Sequence, residues 1–158
     1  MHPLIKSILV MALLGLASQV VGFLLPRRIF HGDRPPFAPF GWEKNGKVYE
    51  RLHIRRWKDH VPDMSRIIKN MVKKKLPAGS SSAHMDLLVQ ETCVAELIHA
   101  LLIVAGLWLL RIWPGIGGRI VYLVYTLVGN LPFIIIQRYN RPRLVRLAEK
   151  TRKREAAL

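Results

Sequence analysis

The stretch NLPFIIIQRYNRPRL, residues 130–144, combines the end of an apolar run with a dense group of polar side chains. Its first half is typical of a membrane helix, whereas its second half carries Arg138, Arg141 and Arg143. An apolar run that stops so abruptly indicates either a helix leaving a bilayer onto an anionic surface or a group of side chains that binds a ligand. We expect both to be true here.

Two earlier runs resemble it, and the three together cover residues 4–25, 94–110 and 120–136. Each is close to the roughly 17–25 residues that a helix needs to cross a bilayer. The sequence therefore predicts an all-α integral membrane protein with three transmembrane helices and a basic cytoplasmic subdomain. The predicted segments are a first membrane helix in 1–25, a basic cytoplasmic or interfacial subdomain in 26–93, membrane helices in 94–113 and 119–137, and a basic cytoplasmic tail in 138–158.

Composition and charge favour a membrane partner over a nucleic acid. The chain has 158 residues, is 51% hydrophobic and carries a formal net charge of +15. A soluble domain this basic would suggest nucleic acid, but here the basic residues collect between and after the apolar runs, which is typical of binding to anionic lipid. The single cysteine, Cys93, allows no intrachain disulfide.

The distribution of Lys and Arg also predicts an orientation. Most of these residues lie in 26–93 and after residue 137. The positive-inside rule then places the N-terminus outside a bacterial cell membrane and both basic segments in the cytoplasm. A cleaved signal peptide is the alternative for the first run, since Gly15-Leu16-Ala17 resembles a cleavage site. The apolar run continues past that point to Leu25, which favours a retained helix.

The predicted cytoplasmic subdomain contains two local patterns. Asn45-Gly46 is typical of a type I′ turn and predicts a short β-hairpin. Residues 63–76 place apolar side chains at helical spacing opposite basic ones, which predicts an amphipathic helix in the membrane interface. Trp57 is assigned either to interfacial or substrate contact or to ordinary packing.

The second apolar run begins with the polar residues that could perform chemistry. Glu96 and His99 are three positions apart and therefore neighbours on one helix face, and Glu91 lies two turns before His99. Ionisable groups in an apolar helix are costly and point to function. We interpret Glu91, Glu96 and His99 as catalytic, with Glu96 orienting His99 as the base that deprotonates a hydroxyl nucleophile.

Two other interpretations of these residues stay open. Glu-x-x-His is the repeat of di-iron carboxylate bundles, but the three apolar runs contain no second repeat and no carboxylate other than Glu96, so we expect no metal. A purely structural pairing with the arginines of the tail is the other possibility.

The third run supplies the predicted substrate-binding residues. Pro132 should interrupt the backbone hydrogen bonds of this run, and the helix should reach the cytoplasmic interface at Gln137. Beyond it, arginines could bind donor phosphates and an amide could stabilise an oxyanion. The predicted substrate-binding set is Arg138, Tyr139, Asn140, Arg141, Arg143 and Trp57.

Three stretches occur in an order and spacing that resemble a known family: FGWEKNGKVYERLHIRRWKD, ETCVAELIH and NLPFIIIQRYNRPRL. They are similar to the glycosyl-4,4′-diaponeurosporenoate acyltransferases, the staphyloxanthin type of carotenoid acyltransferase, over roughly residues 40–147. The resemblance implies transfer of a fatty acyl group to the sugar 6-hydroxyl of a glycosylated carotenoid acid. Glu96, His99, Arg138, Asn140 and Arg141 are the positions that match its motifs.

The expected partners follow from this resemblance and from the charge pattern. We expect membrane lipids, a glycosylated carotenoid or other glycolipid acceptor, and an acyl donor that is a thioester of coenzyme A or acyl carrier protein. We expect no bound cofactor, and a homo-oligomer is one possible state. The alternative is a non-catalytic membrane subunit that binds anionic or glycosylated lipids in a biosynthetic complex.

Overall fold

The computed structural model describes residues 1–61 and 81–157, and within these ranges the chain forms helices and no β-strand. The helices are α1 (Pro3–Leu24), α2 (Ile54–Trp57), α3 (Ser82–Gly106), α4 (Leu109–Ile112), α5 (Ile116–Leu127) and α6 (Leu131–Glu155). Short 3₁₀ helices cover Arg27–Ile29, Gly41–Glu43 and Lys47–Leu52.

Three helical segments of the described chain are long and apolar enough to cross a membrane. They are Pro3–Leu24, Ser82–Ile112 and Ile116–Glu155. Large apolar side chains stay exposed along α1, including Leu16 and Phe23 at 68% and 72%. An apolar surface of this extent is suited to lipid rather than to water. The prediction of an all-helical protein with three membrane-type helices is therefore confirmed.

The chain divides into two compact units. Unit 1 comprises Met1–Leu25 and Ala95–Ile134, and unit 2 comprises Pro26–Val94 and Ile135–Leu158. Helices α3 and α6 each contribute residues to both units.

Unit 1 is packed through small residues and a few buried side chains. Ser7 of α1 and Leu109 of α4 are fully buried. A Cβ atom on Gly106 would lie 2.7 Å from the ring of Tyr125, so glycine allows this close approach.

The third apolar run is interrupted where Pro132 predicts it. Helix α5 ends at Leu127 and α6 begins at Leu131. However, α6 continues to Glu155, well past the expected end of the membrane helix near residue 137. Arg138 and Arg141, which follow this position, are buried and form hydrogen bonds with Glu43 and Thr92. These polar side chains therefore do not end the helix. Pro142 lies inside α6 and provides no N–H for a helical hydrogen bond.

The predicted β-hairpin at Asn45-Gly46 is wrong, although its turn is present. Both residues have positive φ, 55° and 85°, but Lys44 does too, and the flanking segments are 3₁₀ helices. A hairpin of two strands is marginal alone. In unit 2 the segment packs by side chains instead, since Tyr49 and Ile54 form a buried cluster with Tyr139 of α6.

Gly46 fits closely against the main chain of α6. An added Cβ would lie 3.1 Å from the carbonyl oxygen of Tyr139 and 3.3 Å from its Cα. The turn therefore needs glycine both for its positive φ and for this contact. The predicted amphipathic helix at residues 63–76 lies outside the described residues.

Candidate active site

His99 lies on α3 within unit 1 and is half-buried. Its Nδ1 atom is 3.0 Å from Oδ1 of Asn130. Its ring stacks on Phe133, with centroids 4.4 Å apart and planes 11° from parallel. The structure therefore fixes both the plane of this imidazole and the partner of one of its nitrogens.

Asn130 is the functional candidate that the sequence analysis missed. It is only 1% exposed and directly precedes α6. Its Nδ2 donates to the carbonyl oxygen of Tyr125 at 2.9 Å. The available signal was the presence of a carboxamide inside an apolar run, because such a group is costly unless it is hydrogen-bonded.

Glu96 is half-buried and lies one turn before His99 on α3. Its predicted role in orienting His99 stays a prediction. At Nδ1 the neighbouring oxygen is that of Asn130.

Glu91 belongs to unit 2, where it forms an ion pair with Arg27. Nε of Arg27 donates to Oε1 of Glu91 at 2.7 Å, and the two side chains are largely buried. This pairing gives Glu91 a structural contact, whereas its predicted catalytic role stays a prediction.

Arg138 forms a bidentate ion pair with Glu43, a residue that the sequence analysis did not single out. Its Nε and Nη2 donate to the two carboxylate oxygens at 2.5 and 2.8 Å, and Nη2 also donates to the carbonyl of Ala38 at 3.2 Å. The guanidinium also lies over the ring of Phe40, 4.5 Å from its centroid.

Glu43 is 1% exposed and also accepts hydrogen bonds from the Tyr49 hydroxyl and from the Phe40 amide. Burial alone would raise the pKa of this carboxyl group, but the hydrogen bonds from Arg138, Tyr49 and Phe40 together hold its pKa below the ordinary value. Burial and the neighbouring carboxylate raise the pKa of the Tyr49 hydroxyl.

Arg141 is 1% exposed and donates hydrogen bonds to a hydroxyl and to two carbonyl groups. Its Nε donates to the hydroxyl of Thr92 at 2.9 Å, Nη2 to the carbonyl of Thr92 at 2.9 Å, and Nη1 to the carbonyl of Phe37 at 2.7 Å. It thereby connects α6 to α3 and to the segment that contains Phe37 within unit 2.

The remaining predicted substrate residues differ in how accessible they are. Tyr139 is fully buried, and its hydroxyl accepts a hydrogen bond from Arg55 at 3.2 Å. Trp57 is half-buried, and its Nε1 donates to the carbonyl of Leu52 at 2.9 Å.

Asn140 is half-buried. Arg143 is exposed, lies over the ring of Tyr139 at 4.0 Å and donates to Glu50 at 2.9 Å.

The predicted site residues thus fall into two groups. Glu96 and His99 belong to unit 1, where His99 is joined by Asn130, and Glu91 and all the predicted substrate-binding residues belong to unit 2. Within residues 1–61 and 81–157, no three His, Cys, Asp or Glu side chains are arranged to hold a metal ion.

Comparison with known proteins identifies the family. A family model described as glycosyl-4,4′-diaponeurosporenoate acyltransferase matches residues 26–150. The chain belongs to this family. Relatives named glycosyl-4,4′-diaponeurosporenoate acyltransferase, from Staphylococcus aureus strains bovine RF122 / ET3-1 and MRSA252, are 30% and 29% identical over 138 residues. Each match covers 85% of this chain and 81% of the relative. No solved structure matches the chain.

Family membership confirms the resemblance that the sequence motifs carry, and with it an acyltransferase of the carotenoid pathway. The alternative of a non-catalytic membrane subunit is not favoured, because the relatives are named as enzymes.

Proposed function

We propose that this protein transfers a fatty acyl group from a thioester donor to a sugar hydroxyl of a glycosylated carotenoid acid or a related glycolipid. His99 is the general base of this reaction. The observation that carries the proposal is a histidine in an apolar unit, with its ring stacked on Phe133 and its Nδ1 against the oxygen of Asn130. A half-buried imidazole held in this way is suited to proton transfer.

The reaction can be written with a single histidine. The sugar hydroxyl gives its proton to Nε2 of His99 as its oxygen attacks the acyl carbonyl carbon. The tetrahedral intermediate collapses, the carbon–sulfur bond breaks, and the leaving thiolate receives the proton from the imidazolium. Glu96, one turn away on α3, is a candidate for stabilising that transient positive charge.

The donor and the membrane orientation belong to the same proposal. The exposed guanidinium of Arg143 and the half-buried amide of Asn140 are candidates for polar contacts with a coenzyme A or carrier-protein thioester. We infer that the N-terminus lies outside a bacterial cell membrane and the basic segments lie in the cytoplasm, since Lys and Arg collect there.

The test is mass spectrometry of lipids from bacteria that accumulate the glycosylated carotenoid acid. The cultures express the wild-type chain, His99→Gln, or His60→Gln at matched membrane levels. His60 is an exposed histidine outside the proposed site and provides the control. We expect an acyl-sized mass gain with the wild type and His60→Gln, and a loss of about 10²–10⁴-fold in product formation rate with His99→Gln.

Product from His99→Gln near the wild-type rate would overturn the assignment of the base. If the wild-type chain adds no acyl group, the proposed acceptor is wrong, and lipid profiling of the same extracts would show whether another glycolipid is acylated.

A further inference from the structure

We propose that Asn130 is the positioning residue of His99, holding its neutral imidazole as the tautomer that carries the proton on Nδ1. The basic lone pair is then on Nε2. The proposal deepens the proposed function and rests on it for its catalytic meaning, whereas the tautomer itself can be measured without any substrate.

The orientation of the Asn130 side chain is fixed by a group that can only accept. Its Nδ2 lies 2.9 Å from the carbonyl oxygen of Tyr125. The reversed amide would bring two acceptor oxygens together at that distance, so the nitrogen must face Tyr125. Oδ1 therefore faces His99, and the nitrogen 3.0 Å from it must be the donor.

This assignment determines the chemistry of the second ring nitrogen. In a neutral imidazole one nitrogen donates and the other accepts. With Nδ1–H donating to Asn130, Nε2 carries the lone pair that a general base needs. The stack on Phe133 sets the plane in which that lone pair lies. Two contacts thus define both the protonation site and the direction of Nε2.

The side chain of Asn130 does not cap the start of α6, which is the usual role of an asparagine at this position. An asparagine before a helix normally caps the second or third backbone N–H. Here the second helical residue is Pro132, which has no N–H, and the N–H of Phe133 donates to the main-chain carbonyl of Asn130. Both side-chain atoms of Asn130 are thereby left to bond Tyr125 and His99.

Because Asn130 is buried, loss of its hydrogen bond to His99 should change the tautomer of the ring. Asn130 is 1% exposed, so its carboxamide cannot exchange its partners for water. Removing the acceptor would leave the Nδ1–H of His99 without that partner, and an isolated imidazole prefers the opposite tautomer. The expected result is a base with its proton on the wrong nitrogen.

The experiment is nitrogen-15 NMR of the full chain in detergent micelles with ¹⁵N-labelled histidine. The signals of His99 are assigned by their loss in His99→Gln. The variants are Asn130→Leu, which keeps the approximate side-chain size but removes the acceptor, and Asn130→Asp, which keeps an acceptor oxygen. Phe133→Leu is the matched control, because it removes the ring stack and leaves Asn130 in place.

We expect the Nδ1–H tautomer in the wild type, in Asn130→Asp and in Phe133→Leu, and its loss in Asn130→Leu. The same variants are then assayed for acyl transfer. Loss of the partner that orients a metal-ligating histidine costs about 10–100-fold in activity. We expect a loss of similar size for Asn130→Leu and substantial rescue by Asn130→Asp.

An unchanged Nδ1–H signal in Asn130→Leu would overturn the proposal even if His99 proves to be the base. If Asn130→Leu does not fold, an Nε2–H signal in the wild type or in Asn130→Asp would overturn it equally. If the wild-type chain shows no acyl transfer, the proposed function fails, and the tautomer still decides the role of Asn130.

Discussion

The two units bury polar groups in opposite ways. In unit 1 the half-buried His99 is paired with the uncharged carboxamide of Asn130, and the proposed tautomer would leave its lone pair on Nε2. In unit 2 the ion pair of Glu43 and Arg138 is enclosed by further donors and carbonyl oxygens. A charge pair that is bonded internally holds the fold, whereas a histidine paired with a neutral carboxamide is suited to the proposed chemistry.

This contrast changes the interpretation of the arginine-rich stretch at residues 138–143. Arg138 and Arg141 bind the segment of Phe37, Ala38 and Glu43 to α6, so the motif first builds unit 2. Charge alone could not separate these buried arginines from the exposed Arg143.

The largest effect on stability should come from breaking the buried ion pair. Arg138→Met leaves the Glu43 carboxylate buried without its countercharge, and removing one partner of such a pair costs about 3–5 kcal/mol in the free energy of unfolding. Unfolding in detergent micelles, followed by tryptophan fluorescence, would measure this loss. Arg146→Met, at an exposed position of α6, is the control. Equal stability of the two variants would contradict a structural role for Arg138.

The next largest effect on stability should come from a substitution at Gly46, in the turn that contacts α6. Gly46→Ala forces a side chain into positive φ and against the Tyr139 carbonyl, and strained backbone of this kind costs about 1–3 kcal/mol. Gly41→Ala is the matched control, since its Cβ would meet nothing within 4 Å. The same unfolding assay should show destabilisation only for Gly46→Ala, and equal loss in both would mean that the contact with α6 is unimportant.

The sequence predicts local features of this fold better than contacts between distant segments. The three apolar runs and the break at Pro132 follow from composition and from the missing proline N–H. The prediction of a hairpin was wrong because Asn45-Gly46 specifies only a turn, whereas strand formation also depends on the surface against which the segment packs. That surface is α6, which is far away in the chain, and it favours packing by Tyr49 and Ile54.

The candidate site shows the same limit. The cost of a histidine in an apolar helix singles out His99 from the sequence, and spacing suggests Glu96 as its neighbour. The partner at Nδ1 is Asn130, 31 residues away, which only the three-dimensional structure brings to the ring. Similarly, no local pattern marks Glu43 as the partner of Arg138, because the two are 95 residues apart.

The ion pair in unit 2 should also make stability depend on pH in a defined direction. The pKa of Glu43 is lowered in the folded chain, so near the ordinary glutamate pKa the unfolded chain binds more protons. The stabilisation is therefore complete above the ordinary pKa and is lost as pH falls through the lowered value. Unfolding measured from neutral to acidic pH should show this loss for the wild type, and a smaller one for Glu43→Gln. Parallel curves for the two proteins would exclude Glu43 as the source.

The smallest effect on stability should follow a change at Arg143, and this position tests whether the exposed part of the motif has another role. Its bond to Glu50 joins two exposed side chains, and such pairs contribute little to folding. Arg143→Lys keeps the charge but loses the fork that binds phosphate through two hydrogen bonds. We expect unchanged unfolding together with a several-fold rise in the KM for the thioester donor. An unchanged KM would leave Arg143 as a basic surface residue, and donor binding would then have to be sought elsewhere.

The substitution Arg141→Lys provides the opposite case. A lysine cannot replace the hydrogen bonds of Arg141 to Thr92 and Phe37, so this substitution should lower the free energy of unfolding.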